Sequence, residues 1–181
     1  MPLAEKKKYT AEEYFAKTQD TNEHTELIDG EIVALAAPDE LHFDISFSVC
    51  SMLRDFISKN GGSCKPFMAP FDVVLDEYNV VQPDIFVVCD ADKRDGKRIN
   101  GAPDLVIEVV SSNRSDDYVR KLALYKESGV REYWIIDPKF ERTLVYDFDN
   151  GDYPQIYPFS QDIPVGIYKG VLTVNVAKLL S

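Results

Sequence analysis

The chain is short of cysteine, short of positive charge and free of long apolar runs, and each shortage closes off a class of function. Only Cys50, Cys64 and Cys89 occur among 181 residues. Their number is odd and no CxxC spacing appears, so neither a disulfide framework nor a structural zinc site is expected. Cys50 and Cys89 sit in apolar stretches and read as small core residues. No apolar run is long enough to span a bilayer, so no membrane association is expected. The opening MPLAEKKKYT lacks the apolar centre of a secretory signal, and the expectation is a cytoplasmic protein. A net charge of −11 argues against a broad basic surface for nucleic acid. It leaves room for a nuclease, whose acidic metal ligands themselves add negative charge. GxxxxGK, GxSxG and HExxH are absent, as are repeats and low-complexity tracts.

What remains is ordinary globular material, 45% hydrophobic and 28% charged. The length fits a single domain over residues 1–181 with a sizeable core. YTAEEYFAKT predicts a short helix over 9–18 with Thr10 as N-cap and Glu12 and Glu13 in its first turn. Asp29-Gly30 is a two-residue hairpin signal between ELI and EIVALA. Residues 41–59 place Ile45, Val49, Met52, Leu53 and Phe56 on one helical face, closed by Asn60-Gly61-Gly62. MAPFDVVLD, VVQPDIFVV and PDLVIEVV then read as three strands. A helix over about 116–128 follows, ended by Gly129, and then the strand REYWIIDP. Near the C-terminus, RTLVYDFDNGDYPQIYPF predicts a hairpin turning at Asn150-Gly151, and KGVLTVNVAKLL a strand or short helix. The core order is α-β-β-β-α-β, and the βαβ step makes the last two strands parallel. The predicted class is α/β (α+β): a mixed β-sheet flanked by helices, with additional antiparallel hairpins.

Two carboxylates stand inside apolar strands, Asp84 in VVQPDIFVV and Glu108 in APDLVIEVV. Burying a charge in a sheet is costly unless something pairs it. An antiparallel register with Val88 opposite Asp104 also sets Asp84 opposite Glu108. Like charges there repel, so one carboxylate holds a proton or a cation bridges them. Magnesium suits such a site, with manganese as a substitute: it takes hard oxygen ligands and relies on few carboxylates. The backbone carbonyl of Val109 is a further candidate ligand. On the following helix Tyr118, Leu122 and Tyr125 form an inward stripe. Lys121 borders it, within reach of Glu108, where it can orient water or offset transition-state charge. Glu26, at the start of ELIDG, is a candidate third acid. His42, at the head of the long helix, is a candidate contact for phosphate or water.

Each residue also has a plain structural reading. Asp84 can mark the start of a strand, Glu108 can belong to a buried ion pair, and Lys121 can be solvated like most helical lysines. His42 can be a half-buried polar residue and Glu26 a surface strand residue. The basic loop Lys93–Arg98 joins the two strands at the end away from the acids and reads as solvated, with phosphate contact the minority reading. Lys6-Lys7-Lys8 is similarly ambiguous.

With ELIDGEIV, His42, QPDIFVV, APDLVIEVVS, KLALY and GVREYWIIDP in place, the chain resembles the Uma-two family of restriction endonucleases, within the PD-(D/E)xK nuclease superfamily. The matching pieces run from residue 26 to residue 138. The resemblance implies a restriction endonuclease-like core, with Asp84 and Glu108 as acidic metal ligands and Glu26 as an accessory acid. The superfamily motif sets a lysine two residues after the glutamate, where this chain has Val110. The resemblance implies that the lysine has moved to the next helix, where Lys121 matches it. SSNRSDDYVRK departs from the family's arginine-rich approach to that lysine.

The leading expectation is a magnesium-dependent endonuclease acting on phosphodiesters of nucleic acid, with DNA the expected substrate and a homodimer the expected assembly. The alternative is an inactive nuclease-fold module that binds nucleic acid or a protein partner. A purely structural dimer is a third reading.

Overall fold

The computed structural model describes residues 7–21, 23–111 and 115–181, with backbone alone for 115–117 and 119. Lys6 and residues 112–114, which belong to two of the segments read above, lie outside the described residues.

Helix α1 (Ala11–Thr18) starts on a reciprocal cap: the Thr10 side chain accepts from the Glu13 amide while the Glu13 carboxylate accepts from the Thr10 amide. Strands β1 (Thr25–Ile28) and β2 (Glu31–Ala34) form the predicted hairpin. Asp29 and Gly30 turn it with φ of 52° and 78°, the positive values a tight primed turn requires. Helix α2 (Glu40–Asn60) extends one residue beyond the predicted span at each end, from the Asp39 cap to Gly61. Its Ile45, Val49 and Leu53 are fully buried, flanked by Met52 and Phe56.

The next two predicted strands are each broken in two. MAPFDVVLD contributes its first residue to β3 (Lys65–Met68) and its end to β4 (Val73–Asp76). VVQPDIFVV divides into β5 (Asn79–Val81) and β6 (Ile85–Val88). Pro70 and Pro83 lie at the breaks, where a residue without an amide proton cannot continue a ladder. The rest is β7 (Ile99–Asn100), β8 (Leu105–Val109), α3 (Ser115–Ser128), β9 (Glu132–Asp137), β10 (Arg142–Asp147), β11 (Gln155–Pro158), β12 (Ile163–Pro164), β13 (Thr173–Val174) and the short α4 (Val176–Leu179). The β9–β10 hairpin, turning with Glu141 at φ 47°, carried no Gly signal in the sequence.

The halves of each broken strand join different sheets. One sheet runs β2-β1-β5-β4-β7; the other, six-stranded, runs β11-β10-β9-β8-β6-β3. In the larger sheet β8 and β9 are parallel, as the crossover through α3 requires. Strands β6 and β8 are antiparallel, with Ile85 opposite Ile107 and Phe86 opposite Val106. The same register carried one step further sets Asp84 level with Glu108. One face of this sheet (Ile85, Val87, Ile107) packs on α2; the other (Phe86, Val106, Tyr133) packs on the Tyr125 side of α3. No helix among the described residues is long and apolar enough to cross a membrane.

Cys64 and Cys89 form a disulfide, contrary to the expectation from their count and spacing. They directly follow the paired residues Lys65 and Val88 outward along the β3–β6 ladder, so strand register sets them face to face. Cys50 is free.

Leu53 is fully buried whereas Phe47 is 54% exposed on the same helix. Leu53→Ala is expected to cost about 2–5 kcal/mol, and Phe47→Ala about 0.5 kcal/mol or less. Chemical denaturation measures both, and equal costs would contradict this placement of α2.

Candidate active site

The seam between the two sheets brings the candidate residues together. Glu26 comes from β1 of the smaller sheet and Glu108 from β8 of the larger one. The segment Gln82-Pro83-Asp84 crosses between them. The Gln82 amide donates to Glu26 Oε1 at 2.8 Å, and the Asp84 amide approaches Glu108 Oε2 at 3.3 Å. The backbone of the crossing thus recognises the acid of each sheet in turn.

Lys121 closes the seam from α3. Its ammonium lies 3.0 Å from Glu26 Oε1 and 3.1 Å from Glu108 Oε1. Lysine at this depth, 2% exposed, requires partners of opposite charge. The solvated reading of Lys121 and the surface reading of Glu26 are therefore set aside, since Glu26 is fully buried. Tyr125, one turn beyond Lys121, donates its hydroxyl to Glu108 Oε1 at 2.7 Å. The sequence stripe marked Tyr125 only as a packing residue, and its hydroxyl was the overlooked signal. Glu26 Oε2 is buried with no hydrogen-bond partner among the described residues.

Asp84 is held differently. Its Oδ2 accepts from the Val109 amide at 2.8 Å and faces His42 Nε2 at 3.0 Å. His42 therefore belongs to the cluster, through Asp84. Val109 enters through its amide, while its carbonyl accepts from the Tyr118 hydroxyl at 3.3 Å. The loop Lys93–Arg98 stays apart, beyond the other end of β6. Lys93 donates to Ala102 and Arg98 stacks on Phe15.

Residues 11–165 match the Uma2 family, described as "Putative restriction endonuclease". The chain belongs to the Uma2 family. That membership makes its function nuclease-type. The Uma2 chain is 26% identical over 156 residues to the uncharacterized protein slr1290 of Synechocystis sp., covering 84% of this chain and 81% of that one. It also superposes, at TM-score 0.78 and 22% identity, on the crystal structure of a protein from Anabaena variabilis described as a putative nuclease belonging to DUF820. The match covers 94% of this chain and 96% of that one, and it shows a shared restriction endonuclease-like fold.

Electrostatics divide the acids of this Uma2 site. Burial pushes Glu108 up to about 7; Lys121 counteracts it, while the charges of Asp84 and Glu26 add to it. Asp84 moves the other way. Burial opposes its ionisation, but the hydrogen bond and charge of His42, the Val109 amide and Lys121 together outweigh that. Burial likewise disfavours the His42 imidazolium, yet Asp84, Glu108 and Asp39 raise its pKa on balance. Tyr125 is held neutral by burial and by the neighbouring carboxylates. The site thus pairs a readily ionised acid with one whose ionisation is displaced toward neutrality.

The linkage has a definite sign. Between the ordinary glutamate range and about 7, native Glu108 holds a proton that the unfolded chain has released. The Glu108 contribution to stability is then largest on the acid side and falls as pH rises through that window. Comparison with Glu108→Gln isolates the Glu108 titration together with its coupling to Asp84 and His42. The wild type is expected to lose stability relative to the variant from roughly pH 4.5 to pH 7 in thermal denaturation. A relative gain over that range would contradict the assignment.

Proposed function

We propose that the protein is a magnesium-dependent endonuclease that hydrolyses phosphodiester bonds in DNA, with manganese able to substitute. The observation that carries this reading is the convergence of Glu26, Asp84, Glu108 and Lys121 at one seam, from four separate segments. A fold needs no such concentration of charge for stability alone.

The donor chemistry fits a hard divalent cation. Asp84 Oδ1 has no hydrogen bond from the described residues, and Glu108 Oε2 has only the long one from the Asp84 amide. No group of three or more His, Cys, Asp or Glu side chains among the described residues is arranged for a metal. Two carboxylates completed by water, substrate phosphate or the Val109 carbonyl match what magnesium accepts. Asp84 and Glu108 would hold it. When bound, the ion neutralises charge and polarises the phosphoryl oxygen.

The remaining roles fall to the chain itself. Lys121 fixes the positions of Glu26 and Glu108 and sets positive charge beside the centre where negative charge develops. His42 orients Asp84 and stands at the open side of the cluster, where a phosphate oxygen or a water can meet it. Tyr125 holds Glu108 from below. Glu26, with one oxygen unpartnered, is the accessory acid. A homodimer would carry two such sites. The free edge of β11, with Ile156 and nearby Tyr153 exposed, is the surface we assign to it.

One observation favours the alternative of an inactive binding module: Glu108 is already satisfied by Lys121 and Tyr125, as a structural network would be. Activity decides between the two. Asp84→Asn and Glu108→Gln are each expected to reduce magnesium-dependent cleavage of DNA roughly a hundredfold or more. Cleavage unchanged in both variants would overturn the nuclease reading. Binding without cleavage, insensitive to chelator, would establish the module.

A further inference from the structure

Next to the Asp84–His42 pair lies a cleft of about 340 Å³ that the cluster of acids does not use. Its walls are mostly apolar: Leu35, Pro38, Phe43, Met68 and Pro70. It shares His42 and Asp84 with the candidate active site, so whatever occupies it lies directly beside that site. On α2, positions 42, 43, 46 and 47 fall on one face over two turns. His42, Phe43 and Ser46 line the cleft, and Phe47 continues the same face.

Two features of this face call for a ligand. Phe43 and Phe47 are 52% and 54% exposed and stack on each other, centroids 5.9 Å apart and planes within 11°. Large aromatic rings side by side in solvent mark a binding surface more often than chance. The cleft also holds polar capacity that the fold leaves unspent. Gln82 donates its side-chain amide to Asp72, which turns Oε1 into an acceptor without a partner among the described residues. Ser46 also lines the cleft, with its hydroxyl buried beneath the surface.

We propose that this cleft seats one unstacked nucleobase of the strand being cut, with the Phe43–Phe47 face stacking the adjacent base. The preferred substrate is then single-stranded or locally unpaired nucleic acid rather than continuous duplex. The inference rests on the nuclease reading of Asp84. A flat ring slots between apolar walls, its amino or ring N–H groups can donate to Gln82, and its flanking phosphate then falls at Asp84 and His42. Stacking on such rings accepts any base, because every base presents a π-face. Inside a paired duplex the bases cannot reach such a cleft without being flipped out.

The test measures binding of an oligonucleotide carrying a fluorescent base analogue, as single strand and as blunt duplex. Wild type is used in chelator, and Glu108→Gln in magnesium so that the strand stays intact. Quenching of the analogue and at least roughly tenfold tighter binding of the single strand are expected. Phe43→Ala should lose that preference and the quenching, while Phe43→Trp should keep both. Equal binding of single strand and duplex, or an unchanged Phe43→Ala, overturns the proposal even if magnesium-dependent cleavage is present. Stacking and preference without any cleavage by wild type uphold the cleft and remove the nuclease reading instead. A Phe43→Ala, Phe47→Ala double variant that turns a dimer into a monomer without altering binding would assign this face to a second copy of the chain, and overturn the proposal.

Discussion

A single buried ammonium, that of Lys121, ties together three parts of the molecule that share no strand ladder. Glu26 belongs to the smaller sheet, Glu108 to the larger one, and Lys121 to the crossover helix over the latter. Each charge is expensive alone at this depth and tolerable only in company. Removing one partner of such a group typically costs about 3–5 kcal/mol, because the others are left uncompensated. The network therefore sets how the two sheets meet, and not only what happens where they meet. Tyr125 adds a neutral donor at Glu108, which satisfies a lone pair without adding charge.

The same seam explains why the acids are where they are. Here Pro83 ends pairing with the first sheet, and the chain steps through Asp84 into the second. At that step backbone amides of Gln82, Asp84 and Val109 are free of ladder duty and turn toward carboxylates instead. The carboxylates keep outward oxygens, the cleft opens alongside, and α2 brings His42 to the rim. The candidate site of this Uma2 chain sits on a junction rather than on a single element.

Much of this was legible in the residues. Asp29-Gly30 marked its hairpin, because few dipeptides take positive φ at both positions. Alternation along PDIFVV and LVIEVV, with one antiparallel register, was enough to bring Asp84 level with Glu108. The Tyr118, Leu122 and Tyr125 stripe fixed which side of α3 faces inward, and Lys121 with it. Other features needed three dimensions. Period-two patterns look the same whether a run stays in one sheet or changes sheets, so MAPFDVVLD and VVQPDIFVV each read as a single strand through Pro70 and Pro83. The Cys64–Cys89 bond depends on the β3–β6 register, which no local pattern encodes. Tyr125 and Gln82 were overlooked because an inward aromatic and a strand-end amide serve packing in most folds.

The central claim is that Asp84 and Glu108 are a cation site built around the Lys121 network. Crystals soaked in manganese test it most directly, since the ion's anomalous scattering locates it without reference to activity. The account predicts one strong peak contacting carboxylate oxygens of both Asp84 and Glu108, lost in Asp84→Asn crystals. Crystals that hold manganese elsewhere, with Lys121 still bridging Glu26 and Glu108 and no peak at Asp84, would contradict it.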